Sequence, residues 1–579
     1  MHIAASLKSQ KHMSPLACNF CPEDPCRSAG QTANLTWELK DTMSFFMKSF
    51  FSAAKISLAV FSLSLAASAG SLPFNPPRLA SQRPVEVLVT VPRGLSARAR
   101  SSGLMALQFG DSKQSLWEES SFIGLPSSFL QYRFEAQPVG LVNRINTMIY
   151  HVPAERQEEM VQELKAKGYE ADAGGVIALP RPIVGPARSV GLKEIAQIIG
   201  SDKLQAEIER VIGKGNPEKN PVIPWALMDT YMKSDSHPFL KGRFVQEVGG
   251  KPDGQIHGFH VAGITIGMDR SNYHGYAFNI FPNGSASEGD ILLKLEMAVA
   301  KAGALATGNS WGDTSGQVSD RFMPAAKGGS RIATLMEKQA LELGVHHSIS
   351  AGNEGSRPNT IGGPAIATAQ VDLVIHGKKI GVVDRISAIA ATDAGKNIAG
   401  FSSRGKLSPW AAQNNKDGRY NNYPRRPTRA AIGVNVISAV PPGNGYPVEE
   451  LDGGPGKALS GTSMSRPEDQ GAADLQLARA ILVLLGDYLP KMVDRRAKVL
   501  LALDLAAWAG TQSAKMSAND SDETKYGNGF INVWDAFELS AATLKAAASQ
   551  AARTLADIRG YGNSFINRLE FAADGVRIN

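Results

Sequence analysis

A serine hydroxyl becomes a useful nucleophile when a base can take its proton and when hydrogen-bond donors can receive the negative charge that forms on the attacked carbonyl. The stretch Gly461-Thr462-Ser463-Met464-Ser465-Arg466-Pro467 is built for the second requirement. A glycine precedes the serine, and Ala472, Ala473, Leu475, Leu477 and Ala478 follow at helical spacing, so Ser463 is expected at the N-terminal mouth of a buried helix. Unpaired N–H groups and partial positive charge at that mouth favour an oxyanion. No histidine follows Ser463, so a base must come from upstream. His257 and His260 stand out, because His257-Gly258-Phe259-His260-Val261-Ala262-Gly263 opens a second apolar helical run that continues through Ile264 and Ile266. An imidazole base needs an anion to hold its tautomer. The apolar run Val222 to Met228 ends in Asp229-Thr230 and reads as a parallel strand that delivers a carboxylate at its C-terminal end, the edge where open α/β sheets place their sites. Asp235 is the alternative carboxylate, with no apolar strand leading into it.

Together these segments resemble the subtilisin-like serine proteases, the subtilase or S8 peptidase family. The Gly461 heptad resembles the family's nucleophile motif, and His257-Gly258-Phe259-His260 its His-Gly-Thr-His. Asp229-Thr230-Tyr231, with His237-Pro238 downstream, resembles its Asp-Thr-Gly segment, and Ser350-Ala351-Gly352-Asn353-Glu354-Gly355 its oxyanion motif. The order Asp229, His257, Asn353, Ser463 is the family's order. The resemblance implies a serine endopeptidase in which His257 is the base, Asp229 orients it, and Asn353 joins the Ser463 N–H in binding the oxyanion. His260 is then expected to face inward as packing. Ser310-Trp311-Gly312 stands where the family's Ser-Leu-Gly pairs with an extended substrate, so Ser310, Trp311, Gly312, Ala351 and Gly352 are the expected substrate-binding residues. Trp311 is expected to narrow or lid the pocket nearest the cleaved bond, and Met464 to make the enzyme peroxide-sensitive. The chemistry needs no cofactor. Several positions depart from the pattern. Tyr231 and Phe259 are bulky where glycine and threonine are usual, Glu468 replaces a histidine, Ile432 a proline, and Phe239 an aspartate that often serves a structural calcium. A calcium site is therefore not carried over.

Positioning such a site takes a sheet. From about residue 221 to 545 apolar strand runs alternate with helical runs, which predicts an α/β domain, a mostly parallel sheet with helices on both faces. Expected strands include Tyr276–Phe281, the segment before Ser350, Ser387–Thr392 and Arg429–Ala439, with a helix over Leu292–Ala302. Residues 406–427 form a polar insertion, Tyr526–Asn532 a closing turn, and 546–579 an alanine-rich helical tail. Ahead of this domain, residues 70–185 read as a small α+β unit: strands at Val85–Val91 and Ile145–Val152, a helix after Pro153 stopped by Gly168, and a closing strand at Val176–Leu179. That architecture is similar to the family's inhibitory propeptide, the expected intramolecular inhibitor and folding chaperone, with a maturation cut between Pro180 and Asn220. Residues 186–220 are expected to be a linker carrying two helices.

Residues 43–69 have the pattern of a secretory signal, with Lys48 and Lys55, an apolar core from Ile56 to Ala67 and a small-x-small site at Ala67-Ser68-Ala69. The expected product is secreted, extracellular or periplasmic, with no stable membrane insertion after signal cleavage. Residues 1–42, which hold all three cysteines, read as a leader preceding a start at Met43 or Met47. The net charge of +7 is spread along the chain and gives no nucleic-acid signature. Two other functions fit part of the pattern. One is an inactive subtilase fold used for binding. The other is a secreted esterase with Ser310 as nucleophile, because Gly308-x-Ser310-x-Gly312 matches a nucleophile elbow.

Overall fold

The computed structural model describes residues 84–91, 127–179, 183, 188–213, 220–250, 254–312, 331–358, 360–405, 426–491, 494–515 and 521–560. The leader, the signal-like segment, the cysteines and nearly all of the 406–427 insertion lie outside the described residues.

Residues 84–173 build a four-stranded antiparallel sheet, in the order β2-β3-β1-β4. Its strands are β1 (Val85–Thr90), β2 (Gln137–Val142), β3 (Thr147–Val152) and β4 (Glu170–Ala173). Two helices cover it, α1 (Ser127–Phe134) and α2 (Gln157–Ala166). Both faces are buried, which is why β1 reads almost continuously apolar. Val87 and Val89 join Leu130, Phe134, Met160 and Leu164 in the unit's own core, while Leu88 points the other way with Val142 and Ile149 into the core of the larger domain. Each of those three side chains contributes on the order of 1.5–3 kcal/mol when fully buried.

The next strand, β5 (Val176–Ala178), does not close this sheet as expected from the sequence. It pairs antiparallel with β9 (Ser285–Ser287) of the larger domain. The helices expected in a linker also differ from that expectation. Helices α3 (Leu192–Ile199) and α4 (Ser201–Ile212) bury Leu192, Ile195, Ile199, Leu204 and Ile208 in the main core. Their apolar residues recur at helical spacing and leave a solvent face of Lys, Gln and Glu.

The larger domain is an α/β fold on a seven-stranded sheet, ordered β15-β14-β11-β10-β6-β8-β7. Its strands are β6 (Trp225–Asp229), β7 (Phe244–Val248), β8 (Gly275–Asn279), β10 (Ala306–Asn309), β11 (His346–Ser350), β14 (Ile386–Thr392) and β15 (Arg429–Ile432). Every neighbouring pair is parallel. A hairpin, β12 (Gln370–Ile375) with β13 (Lys378–Asp384), precedes β14. The run expected as one strand from Arg429 to Ala439 breaks at Asn435, whose φ is +49°. Its second half, β16 (Val436–Ala439), belongs to a separate sheet with β17 (Tyr446–Pro447) and β18 (Pro455–Leu459). On one face of the main sheet lie α6 (Glu288–Ala300) and α7 (Arg331–Leu343), in the core that also takes Leu88. On the other lie α5 (His257–Met268), α8 (Thr462–Asp469), a π-helical stretch Gln470–Gln476, α9 (Leu477–Leu484), α10 (Arg495–Gln512) and the start of α11 (Val533–Gly560). α5 is buried on every side, so its apolar residues follow no single stripe. The expected tail boundary at residue 546 falls inside α11. Among the described residues no helix is long and apolar enough to cross a membrane.

Candidate active site

Parallel strands aim their last residues at one rim, and three of the expected groups come from that rim. Asp229 is the last residue of β6, Asn353 follows β11, and Ser310 follows β10. Two helix N-termini meet them there. His257 is the first residue of α5 and Ser463 the second of α8, and the two helices pack against each other.

Asp229 Oδ1 accepts from His257 Nδ1 at 2.8 Å, with both side chains almost fully buried. An ionised carboxylate only accepts, so Nδ1 carries the proton and Nε2 keeps its lone pair. The same oxygen accepts from the Thr230 N–H at 2.7 Å. Thr230 also ties the two elements together, because its Oγ1 accepts from the Gly258 N–H at 2.8 Å. Gly258 has to be small here: a Cβ would lie 2.7 Å from the Thr230 carbonyl oxygen. Phe259 turns away into the main core, so its bulk leaves the carboxylate–imidazole contact intact. Asp235 is exposed in a short turn and plays no part.

His260 is the packing residue expected. Its Nε2–H donates to the carbonyls of Val436 and Lys457, each at 3.0 Å, and burial lowers its pKa to about 3, so it stays neutral. His237 is structural as well. Its Nε2–H donates to the Pro455 carbonyl at 3.0 Å, and its Nδ1 accepts from the Phe239 N–H at 3.2 Å.

The Ser463 hydroxyl donates to the Ser310 carbonyl oxygen at 3.1 Å rather than to the imidazole. In return the Ser310 hydroxyl donates to the Ser463 carbonyl oxygen at 3.0 Å. The nucleophile turn and the end of β10 are thus joined by a reciprocal pair, and rotation about one side-chain bond frees the Ser463 Oγ. Ser310 is fully buried and its hydroxyl is engaged on both sides. The histidines that follow it serve other partners: His346 bonds Asp504, His347 bonds Thr307, and His376 bonds the Tyr488 carbonyl. The elbow-type reading of Ser310 therefore has no base.

Asn353 is fixed by its oxygen. Oδ1 accepts from the N–H and the hydroxyl of Thr462, each at 2.9 Å, which turns the amide N–H₂ the other way. That group and the Ser463 N–H border the same gap beside Gly461. A methyl built on Gly461 would sit 3.3 Å from Asn353 Nδ2 and 3.6 Å from Ser463 N. Gly461 also holds φ at +155°, a conformation that side chains resist. Asn353 Nδ2 and the Ser463 N–H thus both lie beside the space that a Gly461 side chain would fill.

The expected substrate-binding residues divide. Ala351 and Gly352 have their main-chain groups engaged inside the protein. Ala351 N–H bonds the Ile389 carbonyl and its carbonyl takes the Gly362 N–H, while Gly352 N–H bonds Thr462 Oγ1 and its carbonyl takes the Ser403 N–H. They shape the Asn353 loop and offer no main-chain bond to a substrate. Trp311 is fully buried, edge-on to Phe281 at 6.0 Å between ring centroids, in one apolar cluster with Ile177 of β5. It is a buried core side chain rather than an exposed lid. Gly312 follows it at the surface of the same segment, where a Cβ would lie 3.0 Å from the Gly363 carbonyl oxygen.

Residues 226–473 match the model of the subtilase family. Over that span the chain is similar to the subtilases. Subtilisin DY of Bacillus licheniformis is 27% identical over 289 residues, which cover 49% of this chain and 83% of the relative. The family is one of serine peptidases, and its matched span runs from β6 into the π-helical stretch after Ser463. Sequence reasoning passed over Thr230, Thr462 and Arg466 in this domain. The first two carried a signal, since each hydroxyl adjoins an expected catalytic residue.

Proposed function

We propose that the chain is a secreted serine endopeptidase that cleaves extended polypeptides through Asp229, His257 and Ser463. The observation that carries this reading is the buried 2.8 Å contact between Asp229 and His257 beside a serine at a helix N-terminus, within a span similar to the subtilases. In the proposed reaction the Ser463 hydroxyl rotates from Ser310 to His257 Nε2 and attacks a peptide carbonyl, while His257 takes the proton. The carbonyl oxygen becomes negative between Asn353 Nδ2 and the Ser463 N–H. Asp229 stabilises the imidazolium, which then protonates the leaving amine. Water, deprotonated by His257, releases the acyl group and restores the hydroxyl. Export is inferred from the signal-like residues 43–69.

We further infer that the α+β unit before β5 is the enzyme's own inhibitor. Strand β5, which follows it, pairs with β9 as an added strand, and the Leu179 N–H donates to the Gly284 carbonyl at 3.0 Å. Ile183 then exchanges two hydrogen bonds of 3.0 Å with Ser460, three positions before the nucleophile. Antiparallel pairing along a cleft edge is how a polypeptide substrate would bind. The test is hydrolysis of an extended peptide by the matured protein. Wild type is expected to cleave it and Ser463→Ala to lose at least about 10⁴-fold in kcat; a folded, matured wild type with no peptidase activity would favour the binding-module reading.

A further inference from the structure

Arg466 is a buried cation with no assigned task. It is fully buried on α8, one turn beyond Ser463. Burial pulls its pKa down to about 9, which leaves it charged at neutral pH. Taking a guanidinium out of water is costly and is normally offset by a carboxylate partner. Among the described residues no carboxylate forms an ion pair with it. Its Nε–H donates to the Ser310 hydroxyl oxygen at 2.9 Å, its Nη1 donates to Gln470 Oε1, and its Nη2 has no partner. The cation is spent on neutral groups, and the first of them touches the nucleophile.

The fold has made room for it. A Cβ on Gly308 would lie 2.0 Å from Arg466 Nη1 and 2.3 Å from Gln470 Oε1. Gly308 in β10 is the glycine of the Gly-x-Ser-x-Gly pattern that the proposed chemistry left unused. It is small because the guanidinium lies against the strand.

We propose that Arg466 is a positioning residue for the nucleophile, a role that rests on the proteolytic reading. A guanidinium only donates, so the Ser310 hydroxyl must accept from Arg466 and point its own hydrogen at the Ser463 carbonyl. That fixes one of the two links between β10 and the nucleophile turn, and it keeps the turn still while the Ser463 hydroxyl rotates between Ser310 and His257. The fixed charge also acts on the neighbouring pair. Asp229 Oδ2 is buried without a hydrogen-bond partner, and Asp229 is the leading source of the field that favours the Arg466 cation. Other charged groups are packed around α8, and of these Asp469 and Asp474 also favour the Arg466 cation, after Asp229. Arg429 on β15 pairs with Asp469 and Asp474, His346 on β11 pairs with Asp504, and burial raises the Glu468 pKa well above the usual carboxylate range.

The test compares Arg466→Met, which keeps most of the volume and removes the charge and the donor, with Arg466→Lys and Gly308→Ala in the full-length, self-maturing protein. Wild type is assayed first on an extended peptide; an inactive wild type defeats the proteolytic reading, and the Arg466 role with it. With an active wild type, Arg466→Met is expected to lower kcat by about 10- to 100-fold with KM within about twofold. Loss of a positive charge near His257 favours the imidazolium, so the acid limb of kcat/KM should move to higher pH. Arg466→Lys keeps the charge but not the Nε contact, and should retain the wild-type acid limb while losing kcat. Gly308→Ala, which crowds the guanidinium, should lose kcat as well. Folded Arg466→Met with wild-type kcat and an unmoved acid limb would overturn the proposal. If Arg466→Met does not fold, the Lys and Ala variants decide it, and wild-type kcat in both would overturn it equally.

Discussion

Asn353 and Gly461 meet at the gap where the oxyanion is proposed to form, and their roles there differ. Asn353 supplies a donor, while Gly461 supplies the absence of a side chain. Asn353→Ala is expected to cost roughly 10²–10³ in kcat with little change in KM, the usual consequence of deleting one such donor. Gly461→Ala should cost kcat comparably although it removes no polar group, because its methyl would stand 3.3 Å from Asn353 Nδ2 and its φ of +155° would be strained. Steady-state kinetics of both variants on one peptide checks this, and a Gly461→Ala enzyme within twofold of wild-type kcat would show that the gap is not where charge develops. At this scale the sequence was informative for a physical reason. A nucleophile, a base and an anion are chemically irreplaceable, so Ser463, His257 and Asp229 stand out by residue type and setting. Arg466 and Ser310 were not legible as a pair, because their meaning lies in a contact between a helix and a strand remote in sequence.

Strand β5 and helix α6 carry the proposed inhibition. The sequence marks β5 as a strand, but an apolar tetrad cannot say which sheet it joins, and it joined β9 rather than the small unit. Glu86 of β1 shows how the two parts hold each other. It accepts from the Ser287 hydroxyl at 2.6 Å and from the Gly289 N–H at 3.0 Å, in the first turn of α6, where a negative charge is favoured. Burial opposes its charge, yet the His151 imidazole 3.8 Å away and hydrogen bonds from Ser287 and Gly289 hold its carboxyl below the usual carboxylate range. A carboxyl depressed in the docked state contributes stability above its free value, near pH 4.3, and that contribution is lost as pH falls through the docked value. Glu86→Gln is therefore expected to speed hydrogen exchange across β1–β4 at pH 7, with a difference from the unsubstituted rate that shrinks as pH is lowered through the docked value, both measured in an uncut Ser463→Ala background. Equal exchange at pH 7 would remove Glu86 from the docking.

On the scale of the whole molecule, the alternation of strand and helix runs was enough to predict a parallel sheet with both faces covered, because both faces must be apolar for that pattern to arise. The boundary between the α+β unit and the larger domain was not legible, since α3 and α4 look amphipathic whether they dock or float. Their apolar faces enter the main core, and Val190 bonds both Asn435 and Ile437. An enzyme cut after α3 would lose part of its own core. The maturation cut should therefore fall between residues 180 and 190, narrower than the interval read from sequence. N-terminal sequencing of the matured protein checks it, and a terminus beyond Leu192 would contradict it.

The most direct measurement of the central claim is mass mapping of the serine labelled by a fluorophosphonate in the matured wild-type protein, with Ser463→Ala and His257→Ala as controls. The predicted result is a single adduct on the peptide containing Ser463, absent from Ser463→Ala and slowed by several orders of magnitude in His257→Ala. An adduct on Ser310, or none on folded, matured wild type, would contradict it.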